Sequence, residues 1–238
     1  MPSFPRRRAA ALALSLLLGA PGPAAAADIA AVSGPGGPLL RLSGLVQPGD
    51  EAKLAMALAA PHRPAALALA SLGGNVQAAL AIGAMVRREG LRTVVEPRGI
   101  CASACGLIWL AGTARTMAPD AHVGLHAAYL KRNGVSVETG AANALVGAYL
   151  GRLGFDDRAI VYLTSAPPDD MTWILPADRQ RYGIAYDTGT SPAAPPPATV
   201  AEGHFLSRPM ALAGAIASAA VAAVDRLMGG RVVPAGEK

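Results

Sequence analysis

The alternation of short apolar runs with helical patterns is the feature that most constrains how this chain folds. The run "PAALALASLGGN", residues 64–75, is continuously apolar and ends in Gly-Gly, which is typical of a strand buried on both faces. Residues 75–90 then carry apolar side chains at three- and four-residue spacings, which predicts a helix. A strand region interrupted at Pro97, a buried helix after Ser103 and a strand ending near His126 follow. This order predicts an α/β domain with helices packed on a mostly parallel sheet.

The flanking segments extend this pattern. Residues 38–46 predict a strand, and Asp50 is predicted as the N-cap of the helix that follows it. Residues 137–164 have helical spacings of apolar residues, and residues 183–187 are predicted to form one last short strand. The sequence is 52% hydrophobic but only 4% aromatic, so the core must consist mainly of Ala, Leu, Val and Ile.

Residues 1–27 have the layout of a secretory signal peptide, with a basic start, an apolar run and a small-residue exit. Ala25-x-Ala27 places the predicted cleavage before Asp28. The apolar run is about 12 residues long, whereas a membrane span needs roughly 20. We therefore expect a periplasmic or secreted protein, in a compartment that permits disulfides and supplies no ATP. An uncleaved membrane anchor is the alternative.

The carboxyl-terminal part has a different composition. Residues 188–203 form a Pro-rich linker, and residues 204–238 contain an Ala-rich helix and a tail. This helix is expected to dock on a partner or on its own domain, with a membrane anchor as the alternative. The formal net charge is +5, but three of the arginines lie together near the amino terminus and no basic stripe follows. Nucleic acid is therefore not an expected partner.

Three features in the central region are arranged as a nucleophilic site requires. Ser103 stands where a strand passes into a helix, and His126 follows 23 residues later. A serine nucleophile needs a base to take its proton and N–H donors to hold an oxyanion, which Gly74 and Ala104 could supply. Each feature alone has an ordinary explanation, as a turn, an N-cap serine or a core histidine. Their order and spacing together favour a catalytic function.

Residues 38–187 resemble the ClpP/crotonase superfamily, and in particular exported ClpP-like bacterial proteins with a C-x-S-A-C motif. The resemblance rests on the Gly-Gly turn, on Ser103 in "CASAC", on His126 and on the closing segment "WILPADRQRYGIAYD". It implies a repeated β-β-α spiral for the domain of residues 28–187. It also implies that Ser103 is the nucleophile, that His126 is the base, and that the N–H groups of Gly74 or Gly73 and of Ala104 form the oxyanion hole.

The third member of a triad is where this chain departs from the family. Ungapped comparison puts Pro167 at the position of the family's aspartate, and Asp169 and Asp170 are the nearest candidates. Asp156 and Asp157 are poorer candidates, because they are predicted to start a helix. A Ser–Lys arrangement, as in signal-peptide peptidases of the superfamily, would need Lys53 or Lys131. If no such residue reaches His126, the site is a dyad or is inactive.

The only two cysteines, Cys101 and Cys105, lie symmetrically around Ser103. A zinc site needs about four ligands, and two cysteines with scattered histidines do not supply the pattern. A cysteine nucleophile is conceivable, because helix N-termini activate thiolates, but the two cysteines lie on either side of the position that the spacing gives to the nucleophile, Ser103. A disulfide and a pair of buried thiols both fit the spacing. No metal or cofactor is expected.

The sequence thus predicts an exported serine hydrolase, in particular a peptidase acting on peptide or protein substrates without a partner ATPase. A non-catalytic binding or scaffold protein of the cell envelope with the same fold is one alternative. A crotonase-type acyl-CoA enzyme is another, and the predicted export argues against it because CoA is cytoplasmic. The sequence leaves a homo-oligomer open.

Overall fold

The computed structural model describes residues 26–34, 37–61 and 64–190. The predicted signal peptide up to residue 25, the linker from residue 191 and the Ala-rich helix lie outside the described residues, so those predictions stay predictions. Within the described ranges, no helix is both long enough and apolar enough to cross a membrane.

Strands and helices alternate along most of the described chain. In chain order the elements are β1 (Asp28–Gly34), β2 (Gly37–Ser43), α1 (Asp50–Leu58), β3 (Ala66–Ala70), α2 (Val76–Arg88), β4 (Arg92–Val95), β5 (Ile100–Ala102), α3 (Ala104–Leu110), β6 (Arg115–Met117), β7 (His122–Leu125), β8 (Tyr129–Arg132), β9 (Val135–Glu138), α4 (Gly140–Arg152), α5 (Asp157–Thr164), β10 (Thr172–Trp173), α6 (Asp178–Tyr182) and β11 (Asp187–Thr188).

The larger sheet has the strand order β1-β2-β3-β4-β6-β11. All neighbours in it run parallel except β1, which pairs antiparallel with β2 at one edge. The central strand β3 is buried along Ala66–Leu69, as expected for a strand covered on both faces. The predicted α/β architecture with a mostly parallel sheet is therefore confirmed.

A smaller sheet, of order β10-β7-β5, carries the residues that the sequence marks for chemistry. Strands β5 and β7 are parallel, with Ala102 opposite Gly124. Two isolated bridges extend this sheet, from Cys101 to Ser71 and from Gly74 to Val46. The Gly-Gly turn, the end of β5 and the end of β7 consequently lie side by side.

Helices α2 and α3 pack against each other within the core. Trp109 on α3 is fully buried, and its indole N–H donates to the carbonyl of Thr116, 3.1 Å away. Tyr149 on α4 donates its hydroxyl to the carbonyl of Leu107, and burial raises the pKa of this tyrosine. Because the buried indole and phenol are each hydrogen-bonded, α3 is fixed in position from two sides.

Some local predictions differ from the structure. Residues 137–164 form the end of β9 and two helices, which are separated where Gly154 has a φ of +94°. Gly49 rather than Asp50 is the N-cap of α1, because the Asp50 carboxylate is turned back onto the chain that precedes the helix. The last strand is Asp187–Thr188, so only its first residue falls in the predicted segment.

Strands β8 and β9 form a two-stranded ribbon that was not among the predicted elements, although Asn133-Gly134 between them is a hairpin signal. They pair with each other, and most of their side chains are exposed. The base of the ribbon is closed where the N–H of Thr139 donates to the carbonyl of Ala128. The ribbon therefore projects from the chain directly after His126.

Candidate active site

Ser103 occupies a sharp turn between β5 and α3. Its φ of 56° and ψ of −125° lie in a region that residues with a side chain rarely adopt. The turn is held by the backbone, since the N–H of Ser103 donates to Gly124 and its carbonyl accepts from Gly106. The serine makes no capping hydrogen bond to the helix that it precedes. An ordinary N-cap function therefore does not explain this serine, and strain of this kind is characteristic of functional sites.

Cys101 and Cys105 are joined by a disulfide that brackets this turn. Their Cα atoms lie 5.1 Å apart, and both side chains are fully buried. One cysteine belongs to β5 and the other to α3. The bond therefore ties the strand to the helix on either side of Ser103.

We predict that removing this disulfide lowers stability by a modest amount. The bond closes a loop of a few residues, for which the loss of unfolded-chain entropy corresponds to about 2 kcal/mol. The Cys101→Ala/Cys105→Ala variant should therefore unfold at lower urea concentration than the oxidised protein, with an unchanged slope. Equal midpoints for the two proteins would contradict this prediction.

The Gly-Gly turn lies directly against Ser103. A Cβ atom built on Gly73 would lie 2.7 Å from the Cβ of Ser103 and 2.9 Å from the amide nitrogen of Ala104. Gly73 also has a φ of +100°, which favours glycine. This position therefore demands glycine on two grounds, namely backbone conformation and close approach.

The structure distinguishes between the two glycines as donors. The N–H of Gly73 is already used, because it donates to the hydroxyl oxygen of Ser71 at 3.1 Å. Gly74 lies between two backbone hydrogen bonds to Val46, made by the Gly73 carbonyl and the Asn75 N–H. Since successive backbone groups of an extended chain point to opposite sides, the N–H of Gly74 points away from Val46.

Two backbone donors are thus left without an acceptor around Ser103. Among the described residues, neither the N–H of Gly74 nor that of Ala104 makes a hydrogen bond. The Ala104 N–H is the first of α3, where helix geometry leaves it without an intrahelical partner. This pair of donors is what an oxyanion hole requires.

His126 follows β7, the strand next to the one that ends at Ser103. Its Nδ1 lies 2.8 Å from the carbonyl oxygen of Ala127, and its ring packs on Tyr129. Because a carbonyl oxygen only accepts, this contact selects the tautomer with the proton on Nδ1 and leaves Nε2 free to accept a proton. In the described part of the chain no hydrogen bond joins His126 to Ser103. Catalytic hydrogen bonds often form fully only when substrate is bound.

The predicted third members, Asp169 and Asp170, make no hydrogen bond to His126 within the described residues, so their assignment stays a prediction. Asp169 and Asp170 are exposed, and a carboxylate oxygen of Asp170 accepts from the N–H of Met171. The segment that leads to the two aspartates starts close to the histidine, because the N–H of Ala127 donates to the carbonyl of Ala166. The partner of the His126 imidazole is instead the backbone carbonyl of Ala127, and no sequence pattern encodes a backbone partner.

The other titratable candidates have separate functions. Asp156 caps α5 by accepting from the N–H of Ala159, and Asp157 is the first residue of that helix. Lys53 is bound to the carboxylate of Asp50, and Lys131 is exposed on β8. The structure therefore does not bring either lysine into a Ser–Lys pair.

We predict that the two aspartates contribute little to the reactivity of Ser103. Asp169→Asn and Asp170→Asn should each keep the rate of serine labelling within about threefold of the unmodified protein, because the Ala127 carbonyl already orients the imidazole. Labelling by a fluorophosphonate under pseudo-first-order conditions measures this rate. A loss of about 10²-fold or more in either variant would show instead that this aspartate acts on the histidine.

Metal ligands are not grouped in the described ranges. No three His, Cys, Asp or Glu side chains there are arranged to hold a metal ion.

Comparisons with known proteins address the fold. No protein-family model matches the chain, and no curated protein is similar to it in sequence. Among solved structures, a serine-to-alanine mutant of the 1510-N membrane-bound stomatin-specific protease is 18% identical, with a TM-score of 0.50 over 63% of this chain and 78% of that one. An enoyl-CoA hydratase described as putative, from Streptomyces coelicolor A3(2), is 13% identical, with a TM-score of 0.42 over 75% of this chain and 72% of that one. The chain therefore has a mixed α/β fold, with a mostly parallel sheet and flanking helices, that is similar to the fold of the stomatin-specific protease.

Proposed function

We propose that the protein is a serine hydrolase of ClpP-like type, acting as a peptidase on peptide or protein segments outside the cytoplasm. One observation carries the proposal. Ser103 is held at positive φ between a strand and a helix, beside two backbone N–H groups that have no acceptor among the described residues. A structural serine requires neither the strained turn nor the free donors.

The proposed reaction begins with attack of the Ser103 hydroxyl oxygen on the acyl carbon of the substrate. Nε2 of His126 takes the hydroxyl proton, and the N–H groups of Gly74 and Ala104 bind the oxyanion that forms. The same proton then passes to the leaving amine as the acyl bond breaks. Water resolves the acyl-enzyme by the same steps, with His126 again acting as base.

In this proposal Ser103 and His126 form a catalytic dyad, and a backbone carbonyl orients the histidine. The Ala127 carbonyl fixes the tautomer of His126, as a carboxylate does in a triad. A neutral carbonyl stabilises the imidazolium less than a carboxylate does, because it carries only a partial charge. We therefore expect turnover to be slower than that of a complete triad.

Export is part of this proposal. The signal-peptide layout of the first 27 residues supports it, and so does the buried disulfide, since such bonds persist in oxidising compartments. Flexible peptides or accessible protein segments are then the proposed substrates, because no ATP is supplied there to unfold a folded one. The Ala-rich carboxyl-terminal helix is proposed to dock on a partner or on a membrane.

A fluorophosphonate probe tests the proposed function. The protein from residue 27 onward should form a covalent adduct, and peptide mass spectrometry should place that adduct on Ser103. Ser103→Ala should abolish labelling, whereas Ser136→Ala, which changes an exposed serine of β9, should not alter it. Absence of an adduct at every pH between about 6 and 9 would contradict the proposed hydrolase, because a general base acts best near the operating pH.

One specific observation favours the second candidate, a non-catalytic binding or scaffold protein. Among the described residues, no charged side chain is hydrogen-bonded to His126. An intact fold together with an unreactive Ser103 would support this alternative.

A further inference from the structure

Asp50 is a fully buried carboxylate for which the proposed reaction has no use. One of its oxygens accepts from the N–H of Gln47 at 2.7 Å and from the N–H of Ala27 at 3.2 Å. Its other oxygen pairs with Nζ of Lys53 at 2.7 Å, and the same ammonium donates to the carbonyl of Ala27 at 2.9 Å. Ala27 is thus held through both of its backbone groups by one ion pair, whose carboxylate is buried and whose Lys53 side chain is partly exposed.

The residue held in this way lies at the predicted processing site. Two overlapping A-x-A patterns are present there, Ala24-x-Ala26 and Ala25-x-Ala27, and they would place cleavage before Ala27 and before Asp28 respectively. Both patterns supply small residues at the two required positions, so the pattern alone does not decide between the two cleavage sites.

The packing of Ala27 separates the two patterns. Ala27 is buried, whereas Ala26 is exposed and contributes only an isolated bridge to Leu45. Cleavage before Asp28 would remove Ala27, which would deprive the buried Asp50 carboxylate of a donor and the Lys53 ammonium of an acceptor. Asp50 would keep Lys53 and the Gln47 N–H as partners, but a hydrogen bond to a buried charged group contributes more than a neutral one, so its loss would weaken the fold.

We infer that the mature protein begins at Ala27, and that its new α-ammonium group forms a buried ion pair with the carboxylate of Asp50. This inference rests on the proposed export. Hydrolysis of the Ala26–Ala27 peptide bond adds water across it, which leaves the carboxylate on Ala26 and the ammonium on Ala27. The peptide N–H that now faces Asp50 becomes a charged donor, so its hydrogen bond to the carboxylate becomes an ion pair.

The new terminus would also act as a positioning group for the proposed oxyanion hole. The Asp50 oxygen that binds Ala27 also binds the N–H of Gln47. The preceding residue, Val46, makes the two backbone hydrogen bonds that flank Gly74. A chain of direct contacts therefore leads from the amino terminus to the Gly74 N–H, and removal of the signal peptide would strengthen its first link.

The first residue of the processed protein tests the inference. The full-length precursor is expressed in a Gram-negative host, and the protein recovered from the periplasm is analysed by intact mass and amino-terminal peptide sequencing. A chain starting at Ala27 is the expected result. A chain starting at Asp28, or at any other processed position, overturns this inference while leaving export intact. A periplasmic chain that keeps its first 25 residues overturns the inference alone, whereas an unprocessed chain found only in the cytoplasm overturns export and the inference together.

Defined chains test the ion pair itself. Proteins from Ala27 to Lys238 and from Asp28 to Lys238 are released from a tag without extra residues, and part of the Ala27 protein is acetylated at its α-amino group. We expect the Asp28 protein to melt about 3–6 °C below the Ala27 protein, and the acetylated protein to lie between them. The Asp28 protein should also label at Ser103 about tenfold more slowly, because its oxyanion donor is held less firmly.

A double-mutant comparison isolates the charge. In chains that carry Asp50→Asn, acetylation should no longer change the melting temperature, because the acceptor of the ammonium is then neutral. If the Asp28 protein fails to fold, the requirement for Ala27 is supported, and the acetylation comparison still decides the ion pair. Equal melting temperatures for the free, acetylated and shortened chains would overturn the inference even if Ser103 is fully reactive.

Discussion

Replacing His126 with alanine is expected to slow fluorophosphonate labelling of Ser103 by about 10²- to 10⁴-fold, which is the usual contribution of a positioned general base. The imidazole is half-buried, and its Nδ1 is committed to the Ala127 carbonyl. Nε2 is therefore the only basic atom that the substitution removes from this end of the sheet. The melting temperature should change little, because the side chain makes one hydrogen bond and one ring contact.

His122 provides the matched control for this experiment. It lies on the same strand as the residues leading to His126, but its side chain is exposed and its ring contacts Trp173. His122→Ala should leave the labelling rate within about twofold of the unmodified protein, as is usual for surface substitutions. If both histidine variants labelled at the same rate, the assignment of His126 as the base would be wrong.

Replacing Gly73 with alanine should slow the labelling of Ser103 more than most substitutions outside the catalytic pair. The added Cβ would lie 2.7 Å from the Cβ of Ser103 and 2.8 Å from the carbonyl oxygen of Ala102. Both distances are too short for a non-bonded contact of a Cβ atom. The backbone must then move, and the Gly74 donor and the Ser103 turn move with it. We expect a loss of about 10²- to 10³-fold in labelling rate, as for removal of one oxyanion donor.

The strain of alanine at positive φ has to be separated from this clash. Gly37 has a φ of +102°, almost the same as the +100° of Gly73, but a Cβ there would meet no atom within 4 Å. Gly37→Ala should therefore lose about 1–2 kcal/mol of stability through backbone strain and keep its labelling rate. Equal labelling by the Gly37 and Gly73 variants would show that the close approach to Ser103 has no functional effect.

The central part of the fold was predictable because its elements combine periodicity with clear ends. In β3 a continuous apolar run ends in Gly-Gly, and in α2 the helical spacing begins after Asn75, whose side chain caps the helix. The ribbon of β8 and β9 has no buried face to give it periodicity, and its one sequence signal is the turn pair Asn133-Gly134. The edge strand β1 was likewise missed, since its alternation of exposed and partly buried residues is weak.

The candidate site was predictable as far as side chains and spacing define it. Ser103, His126 and the Gly-Gly turn lie at the ends of neighbouring strands and bridges. The choice between Gly73 and Gly74 depends on the hydroxyl of Ser71, and the orientation of His126 depends on a main-chain carbonyl. Backbone groups are the same at every residue, so neither of these details can be read from residue types.

The two-stranded ribbon after His126 has a consequence for how such proteins diversify. Its strands bond to each other, and its base is closed by the contact between Thr139 and Ala128. Asn143 of α4 also binds the N–H of Ala128, so the exit point of the ribbon is anchored independently of its tip. Insertions or deletions at the tip, around Gly134, would therefore lengthen or shorten the ribbon without shifting the strand that leads to His126, whose ring packs on Tyr129 at the ribbon's base.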